Sequence, residues 1–419
     1  MADLFSGRQE KIDVAIIGGG PAGLSAATEL KRRSVRRVCV LEREPHAGGI
    51  PRHCGHPPFG MREFKRIYTG PHYAKRLVET AQAAGVEIHT STSVVEARRG
   101  GELLITTSAG PGIIRARRII YATGVRETPR SARLISGARP LGVMNTGALQ
   151  SMVYLKNCKP FERPLIVGTE LVSFSAIMTC RHARIKPVAM IEARGHVTAR
   201  WPSSLYARLA GVPLHLNTRL IDIEGKTRVS AAVVENAQGE PRTIECDGIL
   251  LTGQFTPEAS LARCGHLDID TRTGGPVVDQ FGRCSDPAYF ATGNVLRPVE
   301  TAGWSWNEGR QTGRLVADDL AGRLPAEGEE VEISPNSGLI RFAMPQRIIL
   351  ADSEQGMENL QLRFSKTTTG TLEAVNGKGT IWHRKMSVHP ERRVLVPLRD
   401  LVHGAKGGQI NLNFKETAS

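Results

Sequence analysis

The sequence predicts an α/β fold with two dinucleotide-binding βαβ units, the first of them discontinuous, and a small β-rich module at the C-terminal end. Three observations carry this. A glycine-rich opening, Gly18-Gly19-Gly20-Pro21-Ala22-Gly23, lies between an apolar run, Ile12 to Ile17, and a helical pattern, Leu24 to Leu30. A second opening, Gly168-Thr169-Glu170-Leu171-Val172-Ser173, repeats the arrangement after the apolar run Pro164 to Gly168. From about Ser337 the text changes to short segments of alternating or β-branched residues punctuated by glycine.

In the first opening each glycine has a separate task. Gly18 permits the tight turn, Gly20 lets a pyrophosphate approach the backbone, and Gly23 lets helix and strand pack closely. The helix that follows points unpaired N–H groups and the positive end of its dipole at the phosphates. A second apolar run, Arg37 to Leu41, ends at Glu42, a carboxylate placed to accept hydrogen bonds from a ribose 2′-hydroxyl. Strand, turn, helix and terminal acid together predict a bound dinucleotide.

The second opening keeps the scaffold and loses the chemistry. A helical stretch to about Arg181 and the run Val188 to Glu192 follow it at the expected distance. The position that needs a bare backbone is Glu170, however, and the close-packing position is Ser173. A carboxylate there adds bulk and repels phosphate from the helix N-terminus. NAD(P)H is therefore not expected in this unit, which reads as a Rossmann-like scaffold retained for packing.

Two further turns complete the pattern: Ile119-Ile120-Tyr121-Ala122-Thr123-Gly124 and Ala288-Tyr289-Phe290-Ala291-Thr292-Gly293-Asn294. With these pieces in this order, the chain resembles the two-dinucleotide-domain flavoproteins related to pyridine nucleotide-disulfide oxidoreductases, over about residues 10 to 322. The resemblance implies FAD as cofactor. It implies that Gly18, Gly20, Pro21, Ala22, Gly23, Glu42 and Arg43 hold its ADP half, and that Ala122, Thr123 and Gly124 close the FAD domain. Gly293, Asn294, Thr301 and Ala302 would lie along the ribityl and phosphate groups, and Gly49, Ile50 and Val94 complete the implied contacts. Asn294 stands where the family usually has Asp, and an amide still serves ribityl hydroxyls. The implied domains are residues 1–155 and 285–324 for FAD, 156–284 for the NAD-type unit and 331–419 for the β-rich module.

The loop Gly48 to Gly60, the following Met61-Arg62-Glu63-Phe64 and the stretch Gly293 to Gly309 support a narrower resemblance. They are similar to FAD-binding subunits of bacterial hetero-oligomeric dehydrogenases and oxidases that act on opines, proline or hydroxyproline, sarcosine or glycerol 3-phosphate. The implied partners are a second flavoprotein subunit of the D-amino-acid-oxidase type and a small iron-sulfur subunit. Electrons would then pass from a small amino acid, amine or hydroxy metabolite through FAD to a partner or acceptor. Two alternatives stay open: an NAD(P)H-dependent flavin reductase, and a structural subunit whose FAD never cycles.

Disulfide-reducing members of the family carry a redox-active cysteine pair just after the first βαβ unit, where this chain has only Cys54. Its seven cysteines include no CxxC pair and no cluster site. His53, Cys54 and His56 are the catalytic candidates, because histidine is the side chain best suited to proton transfer near neutral pH. A metal is not expected, since the Pro- and Gly-rich loop does not present ligands on one helix face.

The formal charge of +14 is scattered without aromatic interleaving, which argues against nucleic acid. It fits steering of anionic substrates or of an acidic partner protein. Arg126, Arg130 and Arg133 form either an anion contact or a surface loop, and Trp304 and Trp306 either wall the flavin or pack. Met1 to Glu10 lacks a signal core, no apolar run approaches the roughly 18 residues of a membrane span, and the unpaired cysteines fit a reducing cytoplasm. A cytoplasmic protein is expected. Pro325 to Glu330 reads as a linker, and the module beyond it reads as a docking surface that can be removed without loss of flavin.

Overall fold

The computed structural model describes residues 12–199, 201–203, 205–325, 328–351, 356–377, 379–405 and 408–417. Met1 to Glu10, expected to lack a signal core, and residues 326 and 327 of the linker lie outside the described residues. The chain forms two compact units. Unit 1 contains Met1–Gly49, Ala74–Val125 and Pro257–Ser419, and unit 2 contains Ile50–Tyr73 and Arg126–Thr256.

In unit 1, β1 (Ile12–Ile17), α1 (Pro21–Arg32), β2 (Val38–Leu41) and β3 (Glu87–His89) begin a parallel sheet. It continues through a hairpin of β4 (Ser93–Arg98) and β5 (Glu102–Thr107) into the long β6 (Gly110–Tyr121). The spatial order is β3-β2-β1-β6-β5-β4, and the strand Tyr289–Ala291 pairs with β6 in parallel. β2 is buried at all four positions, as expected of an inner parallel strand covered on both faces. Ile119–Tyr121, at the C-terminal end of β6, is held by β1 on one side and Tyr289–Ala291 on the other.

Unit 2 repeats the plan. Leu214–His215, Ala189–Ile191, Pro164–Val167, Gly248–Leu251 and Val143–Asn145 form a parallel sheet in that order. An antiparallel meander, Arg219–Glu224, Ala231–Glu235 and Pro241–Glu245, accompanies it. The pairing of Val143–Asn145 with Gly248–Leu251 places residues 126–155 in this unit, so the expected boundary at residue 155 moves back to Val125. Residues 257–284 belong to unit 1, where Leu267, Val278 and Cys284 share a core with β1 and β6.

The C-terminal module is a two-sheet β structure. One sheet runs Arg347–Leu350, Glu329–Pro335, Gln409–Glu416, Thr368–Asn376, Gly379–Val388, and the other runs Ile340–Met344, Asn359–Phe364, Val394–Pro397. Asn359–Phe364 alternates strictly, burying Leu360, Leu362 and Phe364 against Leu372, Ile410 and Leu412 from the facing sheet. The module is not an appendage. Met344 belongs to the core of the first sheet, Arg272 donates to Pro335 O (2.8 Å), and Gln280 and Ile349 exchange two hydrogen bonds (2.7 and 2.8 Å). Removal of residues 331–419 would strip apolar cover and hydrogen-bond partners from the rest of unit 1.

A hydrogen-bonded pair, His266 and Asp286, lies in unit 1. His266 Nε2 lies 2.8 Å from Asp286 Oδ2, which also accepts from Gly100 N (3.0 Å), while Oδ1 accepts from Ala288 N (2.9 Å). Burial raises the Asp286 pKa, but the Ala288 and Gly100 N–H groups and His266 outweigh it, and the carboxyl sits below its ordinary value. A depressed carboxyl contributes stability above the unfolded pKa, about 3.9, that is lost as pH falls through the folded value. The melting temperature of the wild type should therefore fall more steeply below about pH 4 than that of Asp286→Asn; identical slopes in a pH series of thermal melts would refute this.

Candidate cofactor site

The first opening sits where β1 turns into α1, and its glycines are demanded by backbone rather than by side chains. Gly18 has φ +108°, and a Cβ there would lie 2.5 Å from Ala122 O. A Cβ on Gly23 would overlap Gly18 O, so α1 lies on the strand at a distance only glycine allows. At Gly20 the added Cβ would meet nothing nearer than Gly49 Cα at 3.9 Å, which leaves the approach to the start of α1 open. Pro21 occupies the first helical position, where its missing N–H costs nothing. Glu42 is buried and accepts from Gly19 N (2.9 Å) through Oε2 and from Glu44 N (2.9 Å) through Oε1. Each oxygen retains a lone pair for a ribose hydroxyl.

A second helix, Ala302–Leu320, runs parallel to α1. Cβ atoms on Gly309 and Gly313 would overlap Ala22 O and lie 2.5 Å from Ala26 O, so the two glycines let these helices touch along two successive turns. Ser25 Oγ adds a 2.5 Å bond to Trp306 O. Gly309 is eighth in its helix and Ala22 second in α1, so the later helix projects roughly 9 Å beyond the start of α1 at 1.5 Å per residue. Both positive helix ends therefore point the same way, that of α1 at Gly20 and that of the later helix beyond it.

Most of the other expected residues fall around this pair. Gly293 (φ +72°) abuts Ala22, with its added Cβ 2.8 Å from Ala22 Cβ and 3.7 Å from Ser305 Cβ. Asn294 Nδ2 donates to Glu300 O (2.9 Å) and its Oδ1 accepts from Glu300 N (2.8 Å). An aspartate could not donate to that carbonyl, which accounts for the amide here; one N–H and one lone pair remain for a ligand. Thr123 Oγ1 bonds Glu258 O (2.7 Å), and Gly124 O accepts from Glu258 N (2.8 Å). Val94 packs against the core, Arg43 and Thr301 are exposed, and Ala122 is buried. Ile50 is exposed and belongs to unit 2. Sequence reasoning missed Thr292 and Ser305, whose hydroxyls are buried without a hydrogen-bond partner beside Gly293. The open face of Gly20 at the start of α1 and these hydroxyls fit the diphosphate and polyol of FAD.

Unit 2 offers a comparison position by position. Gly168 (φ +111°) matches Gly18, Thr169 matches Gly19 and Glu192 matches Glu42. Here the side chains occupy the crevice. Glu192 Oε2 accepts from Thr169 Oγ1 (2.5 Å), Ser173 Oγ pairs with Thr252 Oγ1 (2.6 Å), and Glu170 Oε1 accepts from Gln254 N (3.0 Å). A Cβ on Gly253 would come within 2.5 Å of Glu170 Oε1, so the carboxylate lies directly over that backbone. Glu170 is the N-cap residue of the helix Leu171–His182, but its carboxylate turns to Gln254 N and caps no N–H of the helix.

The catalytic candidates belong to unit 2, in and after the 3₁₀ turn Ile50–His53. His56 Nδ1 lies 2.8 Å from Pro57 O, so this nitrogen carries a proton, and Nε2 meets Ser175 Oγ at 2.5 Å. Ser175 Oγ in turn accepts from Gln150 Nε2 (2.7 Å), and the Cys54 thiol faces Gln150 Oε1 (3.6 Å). Burial first, and the Glu127 charge second, push the Cys54 pKa up to about 12. Cys54 is thus a neutral thiol rather than a nucleophile. The sequence pattern pointed to neither Gln150 nor Ser175, and Glu127, a buried carboxyl raised by burial and held by Gly147 N (2.8 Å) and Gly253 N (3.1 Å), was equally invisible. The anion contact considered for Arg130 and Arg133 is corrected: Arg130 donates to Ile135, Ser136, Gly137 and Ala138 carbonyls, and Arg133 to those of Thr128, Thr252 and Gly253.

The family model of pyridine nucleotide-disulphide oxidoreductases matches residues 12–309. An opine oxidase component of Agrobacterium tumefaciens is 25% identical over 67% of this chain and 61% of its own length. Thioredoxin reductase of Treponema pallidum is 27% identical over 69% of this chain and 92% of its own length. The crystal structure of T. acidophilum thioredoxin reductase shares the fold, with TM-score 0.62 and 21% identity over 74% of this chain and 99% of that one. The chain therefore spans somewhat less than two thirds of the opine oxidase component.

Two outcomes follow. In the native protein at pH 8, iodoacetamide should label exposed Cys158 and Cys264 and leave Cys54 unmodified, as read by peptide mass spectrometry. Replacing Glu170 and Ser173 together by glycine should uncover the second helix end and raise NADH affinity at least tenfold in equilibrium titration; no gain would show that those side chains do not close the crevice.

Proposed function

We propose that this chain, which belongs to the pyridine nucleotide-disulphide oxidoreductase family, is the FAD-binding subunit of a hetero-oligomeric dehydrogenase or oxidase. Members of the family are FAD-dependent oxidoreductases. The observation that carries the proposal is the asymmetry of the two crevices: the first is open at Gly20, and the second is filled by Thr169, Glu170, Ser173 and Thr252. A chain that does not take a nicotinamide draws its electrons from another donor. The similarity to a component of opine oxidase suggests a small amino acid, amine or hydroxy metabolite oxidised in concert with a second flavoprotein.

FAD, when bound, supplies a carrier for two electrons. The contributions of the chain are binding and orientation. Main-chain N–H groups and the positive dipole end at the start of α1 would hold the diphosphate, and Glu42 would accept from the ribose. His56, fixed as its Nδ1–H tautomer by Pro57 O and hydrogen-bonded to Ser175, is the residue in the candidate loop whose chemistry suits proton exchange. Cys54, a buried thiol, takes no part in disulfide exchange.

The thioredoxin reductase matched over 92% of its length favours a second reading, a flavin reductase fed by NAD(P)H. Anaerobic mixing separates the two. NADH and NADPH should leave the flavin oxidised on a turnover timescale, whereas the purified native complex should bleach with one of proline, sarcosine, an opine or glycerol 3-phosphate. Rapid bleaching of the isolated chain by NADH would overturn the proposal, and a flavin that no donor reduces would leave the non-cycling role in its place. Gly23→Val should yield apoprotein, because its side chain would overlap Gly18 O and lift α1 off the strand.

A further inference from the structure

The first two turns of the helix Ala302–Leu320 overhang α1, yet they are not left unsupported. From the C-terminal module, Arg363 Nη2 reaches Glu300 Oε1 at 2.8 Å, immediately before the helix begins. Gln361 Oε1 accepts from Arg297 Nη2 (2.9 Å) and from Arg393 Nη1 (3.1 Å), and Gln361 Nε2 donates to Glu308 Oε1 (3.3 Å). Arg297, among the largest fully buried side chains, donates to the same Glu308 oxygen and to Gly293 O (3.1 Å). The Arg393 guanidinium stacks 4.1 Å above the Trp304 ring. Residues on both sides of the helix start, Gly293 to Glu300 and Trp304 to Glu308, are therefore tied to one strand and one loop of the module.

The charges are close-packed and little exposed, with side-chain exposures of 1% for Arg297, 12% for Arg363 and Arg393, 10% for Glu300 and 13% for Glu308. At such burial, loss of one partner leaves an uncompensated charge rather than a rehydrated one. The stack on Trp304 needs a planar guanidinium, and a lysine supplies only part of it.

We propose that Arg363 and Arg393 are positioning residues of the cofactor site, through which the C-terminal module fixes the overhanging helix end. This rests on the FAD reading above. The module then serves as a brace for the flavin, acting through Glu300, Trp304 and Glu308 without touching the cofactor itself.

The test uses the full-length chain with Arg363→Gln, Arg393→Gln, the conservative Arg393→Lys, and Lys366→Gln as a control in the exposed Lys366–Glu416 pair. FAD affinity is measured by titrating apoprotein, the flavin environment by its visible absorption band, and helix order by hydrogen–deuterium exchange of the peptide covering residues 301–308. Both glutamine variants should raise the FAD Kd at least tenfold, alter the absorption band and speed exchange in that peptide tenfold while the strands β1, β2 and β6 exchange as in wild type. Arg393→Lys should recover part of the affinity, and the control should behave as wild type. Unchanged Kd and exchange in both glutamine variants would overturn the role, as would acceleration spread evenly over all strands, which marks general destabilisation. A wild-type chain that does not bind FAD overturns the cofactor reading and this role together, whereas variants binding as tightly as wild type overturn this role alone.

Discussion

The contact between Gly23 and the carbonyl of Gly18 is the constraint from which the first crevice follows. It sets α1 against β1, and α1 in turn seats the parallel helix Ala302–Leu320 through Gly309 and Gly313. Four glycines, Gly18, Gly23, Gly309 and Gly313, thus determine where the two helices lie. Each would cost a steric overlap with backbone if it carried a Cβ, and backbone has nowhere to move in a close-packed sheet. The polar groups around the crevice, Glu42, Asn294, Ser305 and Thr292, depend on this frame for their placement.

The same frame in unit 2 shows how little change converts a ligand crevice into a packed one. Thr169 supplies a hydroxyl where Gly19 supplies an N–H, so Glu192 is bound by a side chain in place of the main chain. Ser173 and Thr252 pair across the position that Gly23 and Ala122 leave bare. Glu170 puts a carboxylate over Gly253, where Gln254 N binds it, at the place where the first crevice has the bare Gly20. The side chains of Thr169, Glu170, Ser173 and Thr252 thus pair with groups of the crevice itself.

Much of the fold was legible because it is local. The glycine turns, the apolar strands and the acid after the second strand are short-range patterns, and Ile12–Ile17, Pro164–Val167 and Ala189–Ile191 lie where they predict. What escaped was assembled across long sequence distances. Gln150 and Ser175 join the His56 loop through hydrogen bonds spanning 96 and 119 residues, and nothing near either residue announces it. The boundary at Val125 depends on a strand pairing at Val143–Asn145 that is only three residues long, too short to show periodicity. The packing of the module on the first sheet was not legible because Met344 looks like any apolar strand residue, and its partner core lies in another part of the chain.

The discontinuity of unit 1 has a consequence for synthesis. Ile119–Tyr121 is paired on one side by β1 as soon as it leaves the ribosome, but its other edge waits for Tyr289–Ala291. At roughly 5–20 residues per second, the intervening chain takes on the order of ten seconds to emerge. Throughout that interval an apolar inner strand presents open hydrogen-bonding groups, a template for wrong pairing. The nascent protein therefore has a defined period of vulnerability, set by the insertion of unit 2 and ended only when the last strand of the first sheet arrives.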